Sequence, residues 1–223
     1  MALAGSALML AFSPEEFEVL EDGNFFRRFS PLHILWGFWM CDMTEQLVPI
    51  RRHVPLGSQK LFAMRFKPIL EKVNAPALRQ YIVNTTRSAF WVMLLWIALI
   101  ALIGRLHAMK ILNHAALFVI SVAFYVCDLI CVLIWCPFRL IMKNKCCTTC
   151  RIFNWDHIMM FSPMLFVGGF YAVSLMAAAT AVWALWEACV ALYPERFWEQ
   201  TNGALKCANC TDKLCTQYCR KLV

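Results

Sequence analysis

The stretch Ser88–Leu106, SAFWVMLLWIALIALIGRL, constrains this chain most. Its first 17 residues carry no charge, and Arg87 and Arg105 bracket it. An uninterrupted apolar run of about 20 residues matches the ~30 Å hydrocarbon core of a bilayer when wound as a helix. Upstream, Asn74 followed by Ala75-Pro76 is a helix-start signal: a side-chain oxygen at the cap, then a proline whose missing N–H costs nothing there. The helix is therefore expected to begin near Ala75, with a polar, basic first part outside the bilayer.

Two further apolar runs follow. Ala115–Met142 is a second span, with Asp128 near its middle and Pro137 loosening its last turn. The short connection holding His107, Lys110 and His114 makes the first two spans antiparallel neighbours. Ile158–Leu192 is apolar apart from Glu187. As one helix it would be about 52 Å long at 1.5 Å per residue, well beyond the hydrocarbon core. The favoured reading is one long tilted span, because nothing between Phe170 and Leu192 looks like a turn. The alternative is a break at Pro163 or at Gly168-Gly169, giving a re-entrant segment.

Composition agrees with a membrane class. The chain is 61% hydrophobic and only 16% charged, with mean hydropathy +0.59, against about 25% charged in soluble domains. The net charge of +7 is concentrated. Arg51–Arg87 holds eight Lys/Arg and one acid, Glu71, and Arg139, Lys143, Lys145 and Arg151 form a second basic stretch. No nucleic-acid module accompanies these charges, so they read as cytoplasmic, lipid-facing collars. The same bias turns the His107–His114 loop outward and puts the N-terminus in the cytoplasm. A single third span places the C-terminal tail outside; a re-entrant one places it inside.

The N-terminal MALAGSALMLAF lacks a positive n-region and does not read as a cleaved leader. SPEEFEVLEDG reads as a short helix capped by Ser13 and stopped at Asp22-Gly23. Phe25–Val48, with a second start signal at Ser30-Pro31, has an apolar core of about 12 residues, which suits an interfacial or half-buried helix; a core helix packed on the bundle fits equally. The expected organisation is N-terminal helices over 1–73, a transmembrane bundle over 74–193 including a cysteine-rich turn at 143–157, and a cysteine-rich tail over 194–223. The fold class is all-α: an integral membrane bundle of about three long helices with an interfacial N-terminal helix.

The 12 cysteines carry the chemistry. Cys41, Cys127, Cys131, Cys136 and Cys189 stand apart and read as small packing residues. The other seven cluster: Cys146, Cys147 and Cys150 as C-C-x2-C, and Cys207, Cys210, Cys215 and Cys219 as C-x2-C-x4-C-x3-C. A C-x2-C pair aims two thiolates at one ion from a tight turn, so Cys147/Cys150 with Cys207/Cys210 can hold zinc or iron in a tetrahedral site. Cys146 is then spare, or a disulfide partner. The tail alone supplies four ligands, as an iron–sulfur cluster needs, though its spacing differs from the bacterial ferredoxin run. Two disulfides or a redox-active dithiol are the alternatives, with Lys143, Lys145 and Arg151 favouring a thiolate. His157 reads as a lone interfacial histidine or a fourth ligand. Trp155 is expected at the headgroups, Asp156 as the cap of the third helix, and Glu187 at the interface.

Asp128 is the other candidate. An ionisable group inside a span is costly and tends to be functional; His114, Arg105 or a second subunit can supply its partner. Nucleotide-binding, serine-hydrolase and zinc-protease motifs are missing from the sequence. These features point to a membrane subunit, not a stand-alone enzyme, whose thiolates hold zinc or iron–sulfur and which anchors or electron-couples a partner complex. A membrane thiol–disulfide oxidoreductase and a small oligomeric channel or transporter using Asp128 are the alternatives. The expected partners are the lipid bilayer and a homo-oligomer or membrane complex, with no nucleic acid.

Overall fold

The computed structural model describes residues 14–21, 23–48, 63–69, 74–143, 149–206 and 209. Among these residues every named element is helical, and the only β feature is an isolated bridge between Pro68 and Asn202. The helices are α1 (Leu32–Leu47), α2 (Ala75–Ala108), α3 (His114–Leu133), α4 (Phe138–Met142), α5 (Asp156–Phe161) and α6 (Gly169–Leu192), with short 3-10 turns between and around them. Three of them, α2, α3 and α6, are long and apolar enough to cross a membrane.

The helix starts follow local chemistry. Asn74 caps α2, its Oδ1 accepting from the Ala77 N–H at 3.3 Å. Ser30 does the same for α1, its Oγ accepting from the Leu32 N–H at 3.3 Å. The cap expected at Ser13 lies outside the described residues. Pro137 acts more strongly than a loosened last turn. Lacking an N–H and fixed at φ −65, it ends the second span four residues earlier, at Leu133, and starts the separate helix α4.

The favoured reading of the third segment is wrong. Ile158–Leu192 is not one helix. It breaks into α5, a 3-10 turn over Ser162–Phe166 with Pro163 near its start, and α6. Gly168 and Gly169 sit at φ +72 and +69, the left-handed region that costs an L side chain about 1–2 kcal/mol. What remains, 24 residues of α6, is about 36 Å long at 1.5 Å per residue, against a hydrocarbon core of ~30 Å.

The chain divides into two compact units. The first takes its described residues from 1–44, 95–128 and 157–182. Its centre is aromatic. Trp39 of α1, 1% exposed, meets Phe161 at 5.0 Å and Phe118 and Tyr125 at 5.9 Å between ring centroids. Phe118 also touches Phe17 and Tyr171. Leu32, Trp39 and Met43 are buried while Ile34 and Phe38 are exposed, so α1 packs one face into this unit. Hydrogen bonds join its elements: Tyr171 Oη donates to the Leu32 carbonyl at 2.9 Å, Trp36 Nε1 to Ser174 Oγ at 2.8 Å, and Trp96 Nε1 to Ser162 Oγ at 3.1 Å. Interhelical bonds in membranes average about 0.6 kcal/mol, and aromatic pairs add about 0.5–1.5 kcal/mol each; the ring cluster therefore dominates.

The second unit takes its described residues from 45–94, 129–156 and 183–223. The segment before α2 is clipped to the segment after α6. Ile69 N donates to the Thr201 carbonyl at 3.2 Å, Gly203 N to the Lys67 carbonyl at 2.7 Å, and Lys67 N to Asn202 Oδ1 at 3.2 Å. Asn202 is fully buried; its Oδ1 also accepts from Ala204 N, and its Nδ2 donates to the Arg196 carbonyl at 2.9 Å. Tyr81 stacks on Trp198 at 5.3 Å, and Trp186 meets Phe197 edge-on.

Candidate functional sites

The thiol-bearing turn belongs to the second unit. Of the seven clustered cysteines, Cys150 alone falls among the described residues, where it is buried; Cys146, Cys147, Cys207, Cys210, Cys215 and Cys219 lie outside them. Among the described residues no three His, Cys, Asp or Glu side chains are grouped to hold a metal, and no disulfide joins two cysteines.

The turn is fastened to α6 by one carboxylate. Glu187 Oε2 accepts from Arg151 Nη2 at 2.6 Å, and Glu187 Oε1 accepts from Trp155 Nε1 at 2.7 Å. Charge-assisted bonds of this kind are worth about 1.5–3 kcal/mol each. The contacts add to three expectations. Trp155 is buried, its Nε1 on Glu187. Glu187 accepts at both oxygens and keeps a side chain 30% exposed. Arg151, expected to favour a thiolate, is paired with Glu187. Arg151's side chain is 9% exposed, yet its Nε and Nη1 have no hydrogen-bond partner among the described residues. Leaving buried donors unmet costs about 1–3 kcal/mol per group.

Cys150 shares a tight pocket with Tyr81, Asn154, Arg151 and Phe197. Phe197 closes the 3-10 turn that follows α6. The C-terminal segment then runs through Asn202 to Asn209, whose Nδ2 donates to the Gly203 carbonyl at 2.7 Å. The cysteine-bearing turn and the root of the cysteine-bearing tail thus lie in the same unit.

A second polar group forms within the first unit. His157, expected to be interfacial, is 3% exposed, and its Nε2 lies 3.0 Å from Asp42 Oδ2 on α1. Asp42 keeps 37% of its side chain exposed. Tyr125 of α3 packs on Trp39 of α1. Asp128 is half-buried on α3, one turn beyond Tyr125. His114 starts the same helix, 14 residues away, which at 1.5 Å per residue is about 21 Å and rules it out as the partner of Asp128 within one chain. His114 instead faces His107, ring centroids 5.3 Å apart. Asp42 was not singled out from sequence. The signal for it is its spacing: Trp39, Asp42 and Gln46 follow i, i+3, i+7 on α1, and Trp39 and Gln46 are both buried. Asp156 is the first residue of α5, one position inside the cap expected for it.

No protein-family model, curated protein or solved structure matches the chain.

Proposed function

We propose that the chain is an integral membrane protein carrying a thiolate-held zinc or iron–sulfur centre on its cytoplasmic side, and that it anchors or electron-couples a partner membrane complex. The observation that carries this reading is the attachment of the Cys150 turn to the end of α6 through Glu187, Arg151 and Trp155. It holds Cys150 in the same unit as the segment that leads toward the second cluster. Four ligands drawn from Cys147, Cys150, Cys207 and Cys210 satisfy a tetrahedral site, with Cys146, Cys215 and Cys219 in reserve for a larger cluster.

The orientation proposed with it takes the basic segments 51–87 and 139–156 as cytoplasmic. Arg151 of the second basic segment pairs with Glu187, so the third segment is taken as re-entrant, with the end of α6 and the tail cytoplasmic as well.

Metal analysis of protein purified without oxygen tests the reading. Iron with visible charge-transfer absorbance, or about one zinc per chain, is expected, lost in both the Cys147→Ser/Cys150→Ser and Cys207→Ser/Cys210→Ser variants. Metal-free protein whose thiols alkylate only after reduction overturns it. Asp128 within α3, with the Asp42–His157 pair in the same unit, favours a second role, movement of a proton or cation through the bundle, since an ionisable group in a span marks such a path. Asp42→Asn and Asp128→Asn should then lower flux in liposomes at unchanged metal content; a parent protein that supports no flux removes this role.

A further inference from the structure

The cleft above the Arg151–Glu187 pair is not needed for the thiolate reading. It has a volume of about 490 Å³ and lies, within the second unit, between the first three turns of α2 and the last turns of α6. Leu78, Ile82, Val83 and Val190 give it apolar walls, while Arg79 and Arg151 line it as cations. Among the described residues its one acid is Glu187, whose two oxygens are taken by Arg151 and Trp155. Two guanidiniums and one carboxylate among the described lining residues leave a charge of +1.

We propose that this cleft binds the phosphate headgroup of an anionic glycerophospholipid. Three independent observations point to an anion. Arg151 is nine-tenths buried and lines the cleft with Nε and Nη1 lacking any hydrogen-bond partner among the described residues. Those N–H groups are shielded from solvent, so Arg151 contributes positive charge to the cleft floor, and the reachable donors belong to Arg79. Arg79 is exposed and lines both this cleft and an adjoining one that includes Ala75 and Pro76. The cleft also opens at the N-terminal turn of a 34-residue helix, where the backbone dipole favours negative charge. The apolar walls select a lipid over a soluble phosphate: Val83 is 57% exposed beside Arg79, so charge and hydrocarbon surface meet as they do at the glycerol level of a phospholipid.

Delipidated full-length protein in detergent, titrated with phosphatidylglycerol or phosphatidylcholine and read by native mass spectrometry, tests this. Phosphatidylglycerol should be retained preferentially, and Arg79→Gln should weaken its retention about fivefold, the effect of one basic residue near an anionic headgroup. Arg79→Lys should keep most of it. Metal content stays at the parent value in both variants, which separates this site from the thiolate centre. Millimolar glycerol phosphate should not compete. Equal retention of the two lipids, unchanged retention in Arg79→Gln, or saturation by glycerol phosphate alone each overturns the proposal. Arg151→Gln is the second probe: retention falling in both arginine variants supports the shared site, whereas loss only in Arg151→Gln assigns the effect to the collapsed clamp and overturns it.

Discussion

Replacing Glu187 with alanine tests the clamp on the cysteine turn most directly. The substitution leaves the Arg151 guanidinium, 91% buried, without its counter-charge, and deprives Trp155 Nε1 of its acceptor. Breaking a buried ion pair from one side costs about 3–5 kcal/mol. Glu187 retains 30% exposure, so water reaches the vacated site and the lower end applies, about 3 kcal/mol. For a chain of this length that is a fall of about 6–12 °C in the melting temperature. The assay is thermal unfolding in detergent, paired with peptide-resolved alkylation of Cys150, which is 6% exposed and should become reactive. Glu187→Gln keeps an acceptor for Trp155 and should fall between parent and alanine. Glu187→Leu combined with Arg151→Leu should recover much of the loss, because removing both charges leaves none stranded. If Glu187→Ala melts with the parent and Cys150 stays protected, the clamp does not hold the turn.

Gly104→Ala should destabilise by about 1–3 kcal/mol, since its added Cβ would sit 2.5 Å from Phe166 Cζ; Phe166→Leu in the same chain should restore the melting temperature. Asn202→Ala removes three hydrogen bonds from a fully buried side chain and should cost about 2–3 kcal/mol, with faster amide exchange at Lys67 and Ile69 as the specific sign. Asp42→Ala strands the His157 imidazole and should cost about 1–3 kcal/mol, while Asp42→Asn, which keeps an acceptor, should cost less; equal melting of both with the parent would place the pair outside the packed structure.

The elements written in local chemistry are legible in the sequence. The start of α2 at Ala75 needs only the Asn74 cap and an apolar run. The short hairpin to α3 needs only the polar residues near His107 and His114. The break between α5 and α6 is harder to see, because Pro163 and Gly168-Gly169 interrupt the helix without interrupting the hydrophobicity. In a lipid solvent an apolar run reports burial in hydrocarbon, not the path of the backbone. The polar contacts are hidden for another reason. Asp42 meets His157 across 115 positions and Arg151 meets Glu187 across 36. Nothing in either neighbourhood names its partner: His157 and Glu187 taken alone read as interfacial, and Arg151 as one charge of a basic stretch. The cysteine spacing is visible, but six of the seven thiols lie outside the described residues, so the ligand set rests on that spacing and on the placement of Cys150.

The clip between Lys67 and Asn202 spans 135 positions, and this sets an order for biogenesis. At about 5–20 residues per second of synthesis, residue 67 waits roughly 7–27 seconds for its partner to leave the ribosome. All three helices long and apolar enough to cross a membrane are made within that interval. The clip is therefore a late closure. A chain stalled or cut before residue 202 would keep its spans and lose the fastening at their end. Any centre built from both cysteine clusters would likewise be loaded after insertion, by whatever delivers metal to the finished protein, and not while the helices are being threaded.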